Sequence, residues 1–117
     1  MERLVSTEEY RRNLRGILNN LVASGARVVV MTIPQMNREL FAKTPDCMLK
    51  DNNDENIAGY NSIVREEASK AGAGLVDLEN VLAGMSKEGM YEPDGVHMSI
   101  KGQGILADLW LDKILEK

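Results

Sequence analysis

Apolar side chains recur at helical spacing in the first part of the chain. Behind Ser6 they fall on one helical face, while arginines and asparagines fall on the other. Ser6 followed three residues later by Glu9 forms a capping-box pattern, and Gly25 suits the position just past a helix end. The pattern predicts an amphipathic helix between Ser6 and Gly25, with its apolar face formed by Tyr10, Leu14, Ile17, Leu18, Leu21 and Val22.

Two short apolar runs, at residues 27–33 and 74–78, predict β-strands. The first is β-branched, unbroken and ended by Pro34. A strand that is apolar on both sides is typical of a parallel sheet covered by helices on both faces. Residues 35–53 show no sustained period, which predicts a long loop. Such a loop serves either as a lid or substrate-binding element or as a surface insertion.

Further helices are predicted between and after the strands. Asp54 can cap a second helix that ends at Gly72 or Gly74, and residues 79–90 predict a short helix or turn. Ser99 can cap a final helix whose apolar face includes Ile105, Leu106, Leu109, Trp110 and Ile114. The alternation of helix and strand predicts a single α/β domain over residues 1–117 with parallel strands.

The predicted sheet is incomplete. Two parallel strands cannot bury both faces of a run such as Val28–Ile33, and most of their edge hydrogen-bonding groups would be unpaired. We therefore expect another strand beside residues 28–33. It would come either from a second copy of the chain or from a missing segment.

Composition narrows the functional classes. The chain has 44% hydrophobic and 27% charged residues and a net charge of -4, without a Lys/Arg-rich run, so we expect no nucleic-acid or anionic-membrane partner. Cys47 is the single cysteine, which excludes an intramolecular disulfide and a Cys/His zinc set. No metal or cofactor is predicted. The polar N-terminus has no signal-peptide core, and no apolar run approaches the ~20 residues of a membrane span, so a cytoplasmic location is expected.

Candidate chemistry is concentrated in the stretch from Tyr91 to Ser99, which contains the chain's one histidine. His97 stands three residues after Asp94, and Pro93 and Gly95 mark a turn. An aspartate at this spacing can accept a hydrogen bond from one ring nitrogen and leave the other facing a reacting hydroxyl. The alternative is a surface histidine beside a turn aspartate.

The sequence Asp94-Gly95-Val96-His97, followed by Gly102 and Gly104, resembles the last sequence block of the SGNH (GDSL-type) hydrolases. The resemblance extends over about residues 6–114. It implies a three-layer α/β/α, flavodoxin-like fold with a five-stranded parallel sheet. It also implies metal-free hydrolysis of small esters or acylated sugars. His97 would then be the general base and Asp94 its orienting carboxylate.

The chain departs from the family at two other blocks, because neither Gly-Asp-Ser nor Gly-x-Asn-Asp occurs in it. Every serine is predicted to be a helix cap, a helix-end residue or a surface hydroxyl: Ser6, Ser24, Ser62, Ser69, Ser86 and Ser99. The chain is therefore expected to be the C-terminal half of a serine esterase, from a truncated gene, an internal start or a fragment. Whether the isolated chain is an enzyme stays uncertain, and any activity is expected to be very weak.

Three alternatives stay open. The chain could be an inactive, self-associating binding or structural module, with the edge strand pairing in a homodimer. A dimer could instead build a new site in which His97 serves a serine of the other copy. A metal site combining Asp94 and His97 with Asp77 or Glu92 is the least supported by the residue types. A missing N-terminal segment would also allow secretion.

Overall fold

A computed structural model of the chain describes residues 5–41 and 54–116. Cys47 and most of the predicted 35–53 loop lie outside the described residues. The described elements, in chain order, are α1 (Thr7–Ala23), β1 (Val29–Met31), α2 (Arg38–Phe41), α3 (Asp54–Ala71), β2 (Gly74–Val76), α4 (Leu78–Ala83) and α5 (Ile100–Leu115). The alternation confirms the predicted α/β class.

The first helix begins and ends where the sequence predicts. The Ser6 hydroxyl accepts a hydrogen bond from the Glu9 amide at 3.1 Å, which satisfies one of the unpaired N–H groups of the first turn. After the C-cap residue Ser24, Gly25 takes a φ of 86°, a left-handed conformation that glycine adopts without steric cost.

The strands β1 and β2 are parallel, as predicted, but both are shorter than their apolar runs. Val29 pairs with Gly74, and Met31 pairs with Val76. β2 stops at Val76 because Asp77 caps α4, so Leu78, predicted to be in the strand, begins that helix instead. β1 stops at Met31 because the Ile33 backbone bonds to the Asn61 side chain rather than to another strand.

The two long helices α3 and α5 both pack against the two strands, whereas the described parts of these helices make few contacts with each other. They therefore cover different faces of the sheet, which gives three layers. α1 packs along α3 rather than on either strand. Asp54, predicted to cap α3, is its first residue.

An ion pair joins α1 to α3. The Glu67 side chain is 2% exposed, and its carboxylate contacts Arg11 and Arg15, each at 2.8 Å. These arginines hold the pKa of Glu67 at about 2, because their hydrogen bonds to the carboxylate outweigh the effect of burial. The pair fixes α1 in position even though few strand atoms lie beneath this helix.

Two short helices complete the fold. The structure corrects the prediction of an unstructured segment after Pro34, because α2 forms at Arg38–Phe41 behind the N-capping side chain of Asn37. The predicted short helix after β2 is α4. A core cluster of Leu78, Leu82, Met90 and Tyr91 lies against Leu40, Met98, Ile105, Leu106 and Leu109.

Within residues 5–41 and 54–116, β1 pairs with β2 alone, so its other edge is open. Exposed apolar side chains occur on β1 and in the segment that follows it, Met31 and Ile33, and on α1, Ile17 and Leu21. Trp110 of α5, predicted on the apolar face, is also 43% exposed. Among the described helices, none combines the length and apolar character needed to cross a membrane.

Candidate active site

The segment Tyr91–Ser99, called here the His loop, is closed at its base by backbone pairing. Tyr91 and Met98 form an antiparallel bridge, and the Ser99 amide donates to the Met90 carbonyl at 2.9 Å. Further along, the Glu92 amide donates to the His97 carbonyl at 2.8 Å. The loop is therefore a narrow turn with Asp94 and His97 close together near its tip.

Asp94 organises this tip with both carboxylate oxygens. Oδ1 accepts hydrogen bonds from the amides of Val96 at 2.9 Å and His97 at 3.0 Å. Oδ2 lies 2.5 Å from Nδ1 of His97. Gly95 has a φ of 73°, a left-handed conformation that disfavours residues with a Cβ atom. The turn thus brings the two predicted site residues into direct contact.

The contact shifts the proton affinities of both groups. The hydrogen bond from His97, together with the two backbone amides, lowers the pKa of Asp94 to about 2. In turn, the carboxylate raises the pKa of His97 above its ordinary value, first by the hydrogen bond and then by charge. At neutral pH Asp94 is therefore ionised and favours a proton on Nδ1 of the imidazole.

The second ring nitrogen of His97 faces outward. The His97 side chain is 78% exposed, and Nε2 has no hydrogen-bond partner among residues 5–41 and 54–116. An imidazole with Nδ1 on a carboxylate and Nε2 accessible is arranged to accept a proton from a hydroxyl group.

No serine hydroxyl in the described part of the chain bonds to His97. Ser99, two residues away, accepts from the Gly102 amide at 3.2 Å and donates to the Gly89 carbonyl at 2.5 Å. This confirms the prediction that its hydroxyl is occupied as a helix cap. Ser6 and Ser24 also bond to the backbone at the ends of α1, Ser86 accepts from a loop amide, and Ser62 and Ser69 lie on the exposed side of α3.

The first turn of α5 packs closely against the base of the His loop. A Cβ atom on Gly102 would lie 2.4 Å from the Met90 carbonyl oxygen and 2.8 Å from Met98 Cε. Glycine at this position therefore lets the first turn of α5 approach the base of the loop. The side chains of Met90 and Tyr91 are buried, so the base of the loop is packed into the core.

A second polar cluster lies where the strands end, and its roles were not predicted. Arg65 binds Asp77 through two hydrogen bonds of 2.8 and 2.9 Å and reaches Glu79 at 2.7 Å. Thr32 bonds to the same Asp77 carboxylate. These contacts lower the pKa of Asp77, principally through the Arg65 hydrogen bonds. Asp77 is thus engaged in an ion pair rather than grouped with His97.

Acidic residues that follow a strand are a signal for such clusters, but the arginine partner comes from another helix and is not identifiable by spacing.

Among the described residues, no group of three or more His, Cys, Asp or Glu side chains is arranged to hold a metal ion.

Comparison with known proteins extends the resemblance seen in the sequence. The family model for GDSL-like lipase/acylhydrolase proteins matches residues 5–110. A search of curated proteins gives no match. Because the family model covers most of the chain, the protein belongs to the GDSL-like lipase/acylhydrolase family.

Solved structures agree on the fold. A lipase/acylhydrolase from Enterococcus faecalis is similar with a TM-score of 0.79 at 16% identity, over 97% of this chain and 54% of that chain. A GDSL-like lipase from Parabacteroides merdae has a TM-score of 0.72 at 16% identity, over 95% and 50%. A variant acetyl-xylooligosaccharide esterase from Geobacillus has a TM-score of 0.68 at 22% identity, over 97% and 49%. The chain thus spans about half the length of the solved structures it matches.

Proposed function

We propose that this chain supplies the general base and the orienting carboxylate of a serine ester hydrolase. In this proposal His97 is the base, Asp94 orients it, and the substrate is a small ester or an acylated sugar. The observation that carries the proposal is the 2.5 Å contact between Asp94 Oδ2 and His97 Nδ1 on an exposed ring. Family membership supports ester hydrolysis as the reaction class.

The reaction needs a hydroxyl nucleophile that we assign to polypeptide other than this chain. His97 Nε2 takes the proton as the serine oxygen attacks the ester carbonyl, and a tetrahedral oxyanion forms. When the carbon–oxygen bond of the ester breaks, the imidazolium returns the proton to the leaving alcohol. Water then repeats the sequence on the acyl-enzyme and releases the acid. Asp94 stays ionised throughout and stabilises the imidazolium.

Two features support an external nucleophile. The sequence contains no Gly-Asp-Ser block. The serines of the described chain are capping or exposed residues, none of them bonded to His97. The open edge of β1, with exposed Met31 and Ile33 beside it, is a suitable place for a strand of the complementary half to pair. This complementary half would also supply the oxyanion donors.

Labelling with a fluorophosphonate, followed by intact-mass measurement, tests the assignment of the nucleophile. We expect no adduct on the chain alone, on His97→Ala or on the matched control Ser99→Ala. A stoichiometric adduct that disappears in His97→Ala would overturn the external nucleophile, and peptide mapping would identify the serine. The coding DNA gives an independent check, because the proposal predicts an in-frame Gly-Asp-Ser sequence upstream or in a separate gene.

The exposed apolar side chains near the open edge favour a second candidate function, an inactive module that self-associates. In this case β1 pairs with a strand of another copy, and His97 has no catalytic role. Gel filtration at micromolar concentration tests it. A monomer would exclude this candidate, whereas a dimer that keeps the open edge covered would support it.

A further inference from the structure

The His loop is tied to the segment that leaves β1 by two hydrogen bonds. The Tyr91 hydroxyl donates to the Gln35 carbonyl, and the Asn37 amide donates to the Gly95 carbonyl at 2.8 Å. Between these two anchors Met36 is buried in a small cluster with Ile57 of α3. Gln35–Asn37 is therefore held along its whole length, although it has no regular secondary structure.

The hydrogen bond from the Asn37 amide reaches the tip of the His loop. Gly95 follows Asp94, whose Oδ1 accepts hydrogen bonds from the amides of Val96 and His97. The Gly95 carbonyl is fixed from outside the loop by Asn37, while the following amides are fixed from inside by Asp94. A displacement of Asn37 must therefore either break this hydrogen bond or move the turn that carries His97.

The far ends of the segment are also anchored. Before it, the amide and carbonyl of Ile33 both bond to the buried Asn61 side chain, at 2.7 and 2.8 Å. After it, Asn37 Oδ1 accepts from the amides of Glu39 and Leu40, and Leu40 packs on the core cluster below the His loop. The segment is thus a short, braced connection between the end of β1 and the histidine.

We infer that Gln35–Asn37 positions His97, and that Tyr91 is the positioning residue that locks this segment to the His loop. The inference rests on the proposed function for the role of His97, but the coupling it describes is measurable without catalysis. Tyr91 acts at a distance, through Gln35–Asn37 and Gly95, rather than by touching the histidine or a substrate.

A pair of matched variants tests the coupling. Tyr91→Phe removes the hydroxyl that donates to the Gln35 carbonyl, and Tyr60→Phe removes a hydroxyl that donates to the Val5 carbonyl just before α1. Because His97 is the chain's one histidine, its ring signals in an NMR titration are unambiguous. We expect the pKa of His97 to fall toward its ordinary value in Tyr91→Phe, as its contact with Asp94 loosens, and to stay unchanged in Tyr60→Phe. Glu92 and Asp94 are the charged groups that raise the pKa of His97, and both are retained.

Hydrogen exchange of the wild-type chain gives a second test that does not depend on a variant folding. The Asn37 amide and the His97 amide should exchange through one shared opening and show the same urea dependence, because the two segments move together. Exchange of Asn37 at least ~10-fold faster than that of His97 would overturn the inference. An unchanged pKa of His97 in folded Tyr91→Phe would overturn it as well. Fluorophosphonate labelling reports on the nucleophile alone, so failure of the proposed function remains separately visible.

Discussion

The His loop and the open edge of β1 differ in how many of their contacts are made within the described chain. In the His loop, Asp94 alone accepts three hydrogen bonds, and neighbouring backbone groups pair with Met90 and Asn37. Along the open edge, β1 has no second partner strand in the described chain, and the apolar side chains of Met31 and Ile33 are exposed.

The difference separates the part of the proposed site that this chain forms by itself from the part that it does not form. A base and its orienting carboxylate need only a local turn, since Asp94 and His97 are three residues apart. In the proposed function the nucleophile and the oxyanion donors lie outside this turn and are assigned to other polypeptide, so they depend on how the rest of the sheet is completed. The contrast supports the proposal that this chain provides the base and that another polypeptide completes the site.

The largest effect on the free energy of unfolding is expected when the ion pair that holds α1 on α3 is broken. Glu67→Gln should lower the free energy of unfolding by about 3 kcal/mol, because the buried carboxylate loses its charge-assisted hydrogen bonds from Arg11 and Arg15. Urea denaturation measures this loss. Glu66→Gln is the control, since Glu66 is 54% exposed and an exposed pair contributes at most about 1 kcal/mol. Equal losses of unfolding free energy in the two variants would contradict a larger contribution from the buried Glu67 carboxylate.

The same carboxylate should be visible in the pH dependence of stability. The pKa of Glu67 is about 2 in the folded chain, below its ordinary value of 4.5. A lowered pKa stabilises the fold above the ordinary value, and this contribution is lost as the pH falls toward 2. The loss of stability between pH 4.5 and 2 should therefore be smaller in Glu67→Gln than in the wild type. Identical pH profiles would contradict this account.

A smaller effect on stability is expected where the first turn of α5 packs against the base of the His loop. Gly102→Ala should destabilise the chain by about 2 kcal/mol, because the added methyl group overlaps the Met90 carbonyl. Gly104→Ala, two residues further along α5, has open space around the position. It should stabilise the helix by about 0.5–1 kcal/mol. Thermal unfolding of both variants should give opposite signs, and matching signs would refute the packing argument.

The smallest effect on stability is expected at the open edge. Met31→Lys should change the free energy of unfolding by no more than about 0.5 kcal/mol, because this side chain is already exposed. In the second candidate function, where β1 pairs with a strand of another copy, this variant should nevertheless abolish association in gel filtration, because a charge opposes strand pairing. Leu115→Lys places the same charge at the exposed end of α5 and should leave association intact. A shift to monomer in both variants would show that charge alone is responsible.

The sequence was sufficient to predict features that depend on neighbouring residues or on the order of the elements. The caps at Ser6 and Ser99 and the Asp94–His97 turn follow from spacings of a few residues, and the parallel order of the strands follows from the alternation of helix and strand. The Arg65–Asp77 pair and the hydrogen bonds of Asn61 to Ile33 were not predictable. They join elements from different parts of the chain, and only the folded geometry brings them together. Trp110 lies in α5 as predicted but is 43% exposed, because helical periodicity does not indicate which apolar positions another element covers.

Nitrogen-15 NMR of His97 tests the central claim that Asp94 holds the imidazole ready as a base. We predict that the neutral ring carries its proton on Nδ1, with Nε2 unprotonated, and that its pKa lies above the ordinary value. In Asp94→Asn the pKa should fall, and the preference for a proton on Nδ1 should weaken. A wild-type ring protonated mainly on Nε2, or one unchanged by Asp94→Asn, would contradict the account and leave His97 as an exposed surface residue.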